Sequence, residues 1–290
     1  MDKILEVESV NKTYANSQFE LKDITFSIPY GSIVGFIGEN GAGKTSTMSA
    51  ILGILKKNSG SIKIFNQEMN DSNKKLKEQI GVVFDQMNFS SNLNVIQLSN
   101  MLSCIYQQWD KEKYFHYIEV FSLPKEKNIG KFSRGMSMKL SIAVALSHNT
   151  KLLILDEATA GLDPKARNEM LDVFLDFVKD GDRSILLSSH ITSDIEKIAD
   201  YLIFIKNGKI ILQTSKKELL GNYAIVECKP TELKQIDSRV MVLYKNNADM
   251  LEVLVSDKHT LPASFQIKEN PLDEITLFLM KGDCHEGAHS

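Results

Sequence analysis

Residues 38–45 read Gly-Glu-Asn-Gly-Ala-Gly-Lys-Thr, which places Gly38, Gly43, Lys44 and Thr45 at the fixed positions of a G-x-x-x-x-G-K-T string. Those types at that spacing can hold a phosphate chain. Such a loop turns successive backbone N–H groups inward and ends at a helix N-terminus, and both features attract anions. Glycine is needed where φ is positive and where a side chain would block the phosphate. Asn40 and Gly41 lie inside the loop, and Ser46 opens the helix that leaves it. Lys44 would reach the β- and γ-phosphates of a nucleotide, and the Thr45 hydroxyl would bind Mg²⁺. A chance glycine-rich turn would lack the apolar strand before the loop and the helical pattern after it.

A second group of polar residues has the chemistry to use that phosphate. Asp156 and Glu157 close an apolar run, where carboxylates are costly without a purpose. Beside a phosphate loop, Asp156 would hold Mg²⁺ directly or through water. Glu157 would polarise an attacking water. His190 would contact the γ-phosphate. Taken alone, it reads better as a satisfied histidine at a helix cap.

Positioning these groups requires a sheet. Residues 32–37, 80–84, 151–155 and 184–187 are apolar runs, and each leads directly into a polar group: Gly38, Gln86, Asp156 and His190. Apolar strands alternating with helices imply a parallel sheet, whose functional residues lie beyond the carboxyl ends of the strands. Half-buried strands are also expected over 3–10, 21–28 and 61–65. From 87 to 147 the pattern is helical, with Ser133 as the N-cap of its last helix. Asp163 and Pro164 start a further helix as N-cap and first residue. Asn207-Gly208 marks a hairpin between 201–205 and 209–212. Beyond 220 the character changes to short strands and one helix over 272–280, a small α+β appendage spanning 221–290. Its tail, 283–290, is expected to be disordered. That tail carries Cys284, His285 and His289, metal-ligating types without a structure to hold them.

Composition narrows the partners. The chain has 290 residues, 43% of them hydrophobic, enough for one large domain with appendages. A net charge of -3 does not favour nucleic acid. Three widely spaced cysteines fit a reducing compartment. No apolar run approaches the length of a membrane span, and the N-terminus does not read as a signal peptide. A cytosolic chain is expected, with any membrane role supplied through a partner.

The ordered set of motifs resembles that of ATP-binding cassette ATPases. LLILDEATAGLDP (152–164) and SSH (188–190) look like the Walker B, D-loop and H-loop, and Gln86 matches the Q-loop. The resemblance covers about residues 3–215. It implies an α/β P-loop NTPase with a parallel-sheet core and a helical subdomain at about 87–147, the nucleotide-binding domain spanning 1–220. It places Tyr14 as the adenine-stacking aromatic. It implies ATP contacts from Asn40, Gly41 and Ser46, and from Ser133, Gly135 and Asp163. Gln86 joins Glu157 and His190 among the catalytic residues, and Thr45 and Asp156 as a metal ligand. One motif departs. The usual LSGGQ signature is here Phe132-Ser133-Arg134-Gly135-Met136, so Arg134 replaces the first glycine and Met136 loses a polar contact.

That form, and the Pro-Leu-Asp-Glu-Ile string at 271–275, are similar to those of bacterial exporter ATPases whose membrane subunit is a separate chain. The form resembles, first, that of ATPase subunits of the phenol-soluble modulin exporter, with bacitracin-resistance-type exporters as the runner-up. The resemblance implies an ATPase that binds ATP and Mg²⁺ and dimerises head to tail with a copy or a paralogue. It would act at the cytoplasmic membrane face through an integral permease, exporting peptides. The alternatives are export of a peptide antibiotic or lipid, and a soluble cassette ATPase acting on ribosomes or DNA. The latter usually has two cassettes or a long coiled-coil insertion, and this chain has neither. A P-loop kinase or GTPase would not need Gln86, the Ser133 segment and His190 together.

Overall fold

The computed structural model describes all residues except 1, 16–17, 71–72, 86–88, 190, 248–249, 263–264, 266, 268–270, 282 and 285–290, with backbone alone at 246–247 and 283–284. Gln86, His190 and the His285/His289 pair therefore lie outside the described residues.

Three strands begin the chain: β1 (Lys3–Thr13), β2 (Glu20–Pro29) and β3 (Ile33–Ile37). Helix α1 (Lys44–Ile51) follows, then β4 (Ser59–Ile64), β5 (Gln67–Glu68), α2 (Lys74–Lys77) and β6 (Ile80–Val83). A helical segment holds α3 (Val95–Ile105), α4 (Lys111–Val120) and α5 (Arg134–Leu146). Next come β7 (Leu152–Asp156), α6 (Pro164–Val178), β8 (Ser184–Ser188), α7 (Thr192–Ile198), β9 (Tyr201–Lys206), β10 (Lys209–Ser215) and α8 (Lys216–Asn222). The chain ends in β11 (Ala224–Cys228), β12 (Met241–Asn247), β13 (Met250–Val255), α9 (Leu272–Lys281) and β14 (Asp283–Cys284).

The central sheet has the order β10-β9-β3-β8-β7-β6. All its pairings are parallel except the β9–β10 hairpin. Its apolar strands are buried on both faces, as parallel sheets require. Along β7, Leu153 and Leu155 join the core on the helical side, while Leu152 and Ile154 face the other way. Asn207 and Gly208 both have positive φ, 47° and 72°, which is the turn geometry a two-residue hairpin needs.

The first strands do not join this sheet. β2, β1, β4 and β5 form a separate antiparallel sheet, which shares an apolar core with α1 and one face of the central sheet. Its half-buried alternation was legible locally, but its pairing across some fifty residues was not.

A third antiparallel sheet has the order β11-β13-β12-β14. Here the expectation for the tail is corrected at two positions. Asp283 and Cys284 pair with Tyr244 and Leu243, so the backbone hydrogen bonds of an edge strand order them. The rest of the tail lies outside the described residues. One face of this sheet packs on itself through Val226, Val253 and Val255. The other side, with Ile225, Leu254 and α9, is continuous with the main core.

Candidate active site

β3 feeds the phosphate loop, and the loop's shape is set by glycine. A Cβ on Gly38 would lie 2.5 Å from the Ile205 carbonyl oxygen. Gly43, the cap of α1, has φ 114°, a conformation that side-chain-bearing residues avoid. No acidic side chain occupies the first turn of α1, so its positive end is available to an anion. The loop lines a pocket of about 380 Å³ with Asn40, Gly41, Gly43, Lys44, Thr45, Ser46, Asp156 and Glu157.

Lys44 is 6% exposed. Its ammonium donates to the carbonyls of Gly38 (2.6 Å) and Glu39 (3.2 Å) and stands 3.7 Å from Glu157 Oε1. The Thr45 hydroxyl donates to Asp156 Oδ2 at 2.6 Å. The donor set at that point is a hydroxyl beside a carboxylate, hard oxygens that fit Mg²⁺. Such an ion supplies charge neutralisation at phosphate oxygens.

Ser188, at the end of β8, was missed as a site residue. The β7–β8 register sets Asp156 opposite Ser188. The Ser188 hydroxyl donates to Asp156 Oδ1 at 2.5 Å and accepts from the Glu157 N–H at 3.1 Å. It therefore holds the Asp156 carboxylate and the Glu157 backbone at once. Glu157 itself has φ 55°, a left-handed conformation that costs a residue with a Cβ about 1–3 kcal/mol. Strand pairing and the hydroxyl together hold it there. The sequence signal was a small polar residue ending an apolar strand, but its partner depended on register.

Phe19 was also missed. It lines the pocket, whereas Tyr14 does not. Tyr14 adjoins Phe19, ring centroids 6.0 Å apart, and has the Lys12 ammonium 5.6 Å from its ring.

The structure does not bring Ser133, Gly135 and Asp163 to this pocket. Ser133 caps α5 by accepting from the Met136 N–H at 3.2 Å. Asp163 caps α6 by accepting from the Ala166 N–H at 3.0 Å, and this bond is the main reason its carboxyl is held below the usual range. A separate groove of about 460 Å³ lies between the end of β6 and α5, lined among others by Phe84, Asp85, Phe89, Phe132 and Arg134.

The chain that carries this loop and these paired carboxylates is similar to known proteins. A family model described as "ABC transporter" matches residues 21–160. The bacitracin transport ATP-binding protein BcrA of Bacillus licheniformis is 36% identical over 213 residues, covering 73% of this chain and 69% of that protein. The chain belongs to the ABC transporter family. The lantibiotic transport ATP-binding protein SrtF of Streptococcus pyogenes is 31% identical over 232 residues, 77% of this chain and 99% of SrtF. Among solved structures, CbiO1 of Clostridium perfringens, part of the ABC transporter complex CbiONQ, is similar with a TM-score of 0.64. The two are 30% identical, and the match covers 76% of this chain and 91% of CbiO1. The chain is thus an ABC ATPase that binds ATP and couples its hydrolysis to transport. Among the described residues no helix is long and apolar enough to cross a membrane.

Proposed function

We propose that this chain is the ATPase subunit of a peptide exporter, in which two chains close head to tail over ATP and Mg²⁺. Lys44 holds the β- and γ-phosphates, Thr45 and Asp156 hold Mg²⁺, and Glu157 orients the attacking water. Gln86 and His190 complete that set. Ser133 and Gly135 meet the γ-phosphate of the nucleotide bound by the opposite chain, with Asp163 beside the interface. The observation that carries this reading is the separation within one chain of the Ser133 cap from the pocket around Lys44.

The integral permease is a separate chain that docks in the groove by Phe84 and Phe132, which keeps this subunit at the cytoplasmic membrane face. The cargo class follows BcrA and SrtF, which are ATP-binding proteins of bacitracin and lantibiotic transport. Within it, a small amphipathic peptide of the phenol-soluble modulin kind is the narrower reading. The ATPase chains form a homodimer or pair with a paralogue. No relative reported above supports the ribosome- or DNA-directed alternative.

Mixing two damaged chains tests the shared site. Lys44→Ala spoils the phosphate loop, and Ser133→Arg spoils the opposing segment. Each homodimer then has two defective sites, while a mixed dimer has one intact site. Trapped nucleotide per dimer should rise on mixing. No gain, once mixed dimers are shown to form, would sink the head-to-tail arrangement.

A further inference from the structure

Arg134 occupies the first position of α5, directly after its cap. A cation there faces the positive end of the helix and is unfavourable unless something compensates it. Two neighbours do. Its guanidinium Nη2 pairs with Asp85 Oδ1, just beyond β6. Its side chain also runs along Gly161, in the loop between β7 and α6: a Cβ on Gly161 would stand 3.4 Å from both Cδ and Nε of Arg134. Gly161 has φ 78°, so the turn itself favours glycine. One side chain therefore ties the first turn of α5 to the carboxyl end of β6 and lies beside the loop after Glu157. Glycine at position 134 could make none of these contacts.

We infer that Arg134 is a positioning residue, a brace that fixes the first turn of α5 against the sheet so that Ser133 and Gly135 are presented in one orientation to the nucleotide of the opposing chain. The inference rests on the head-to-tail reading above. The pair is exposed on both sides, 58% for Arg134 and 48% for Asp85. Such pairs contribute little to global stability. Its effect is on the orientation of α5 rather than on folding, which separates it from an ordinary structural contact. The side chain also lies beside the loop that follows Glu157, which sets the brace close to the hydrolytic end of the same chain.

Charge exchange in the full-length chain tests this. Arg134→Asp and Asp85→Arg each break the brace, and the double variant rebuilds it in reverse. Each single variant should lower kcat on the order of fivefold, the size expected for contacting charged residues. Melting temperature and the affinity of the isolated chain for ATP should stay near those of the parent. The double variant should recover most of the lost kcat. Effects of the two changes that simply multiply, without recovery, would overturn the brace, and so would single variants with native kcat. A large drop in ATP affinity of the isolated chain would overturn it as well, by placing Arg134 in its own chain's site. The Lys44→Ala and Ser133→Arg mixture reports on the shared site alone. Recovery by charge exchange with no gain in that mixture would keep the brace and discard the head-to-tail reading.

Discussion

Lys44 and Glu157 face each other at 3.7 Å, and two carbonyls of its own loop hold the lysine in place. The ammonium is thus already aimed into the pocket without nucleotide. Lys44→Ala removes a charge-assisted contact of about 1.5–3 kcal/mol, so ATP affinity should fall roughly ten- to a hundredfold. Glu157→Gln keeps shape and hydrogen bonding but removes the base, and hydrolysis should fall on the order of a hundredfold or more while binding persists. Equilibrium nucleotide binding and single-turnover hydrolysis separate the two effects. Native turnover in the Gln variant would remove Glu157 from its role.

A residue distant from the pocket gives a pH dependence. His148 is buried against the ring of Tyr106, centroids 4.4 Å apart, and its Nδ1 lies 2.8 Å from the Glu78 carbonyl. A carbonyl only accepts, so Nδ1 carries the proton of the neutral ring. Burial is the main cause holding its pKa below the ordinary 6.5. As pH falls through 6.5 the unfolded chain takes up a proton that the folded chain refuses, so stability declines on the acid side of that value. Denaturant midpoints measured between pH 7.5 and pH 5.5 should fall, and the fall should shrink in His148→Gln. An equal slope in the variant would assign the effect to other groups.

At the scale of elements, what was legible followed from local rules. Asp163-Pro164 reads as a helix start because the side chain caps and the ring presets φ, and the structure has that cap. The ends of β3, β7 and β8 were legible because an apolar run meeting polar residues marks a strand end. What depended on register or distant packing was not: Ser188 opposite Asp156, Phe19 at the pocket wall, and the Arg134–Asp85 pair across 49 residues.

Ser133 shows how one position can carry both kinds of information. As N-cap of α5 it stabilises the helix, and Ser133→Ala should cost about 1 kcal/mol. Aspartate caps as well as serine and suits the helix dipole, so Ser133→Asp should melt near the parent. Its charge would nonetheless repel the phosphates of an opposing nucleotide. The alanine variant should therefore lose more stability and the aspartate variant more ATPase activity. Calorimetry alongside steady-state turnover would show whether the order inverts; the same order in both assays would leave Ser133 with a capping role alone.

For the whole molecule, the relation of residues 221–290 to the rest is set by packing that composition does not reveal. The sequence reads as a change of character after 220, yet α9 lies against α7. Leu272, Ile275 and Leu279 of α9 are fully buried in the same core as Ile195 and Ile198 of α7. The Thr192 hydroxyl donates to Asp273, joining the first turns of the two helices. Removing a buried side chain of this size costs about 2–5 kcal/mol, and Ile275→Ala should therefore lower the unfolding free energy by that amount. A chain ended at 221 loses the whole contact and should melt well below the parent. Its phosphate loop, however, also rests on a second core, built by Val34 and Phe36 of β3, Met48 of α1 and the antiparallel sheet, which α9 does not join. At a temperature where the shortened chain is still folded by circular dichroism, it should bind ATP with an affinity close to that of the full chain. An unchanged melting temperature would show that α9 contributes nothing to the core. A folded shortened chain that no longer binds ATP would instead make the appendage part of the nucleotide site.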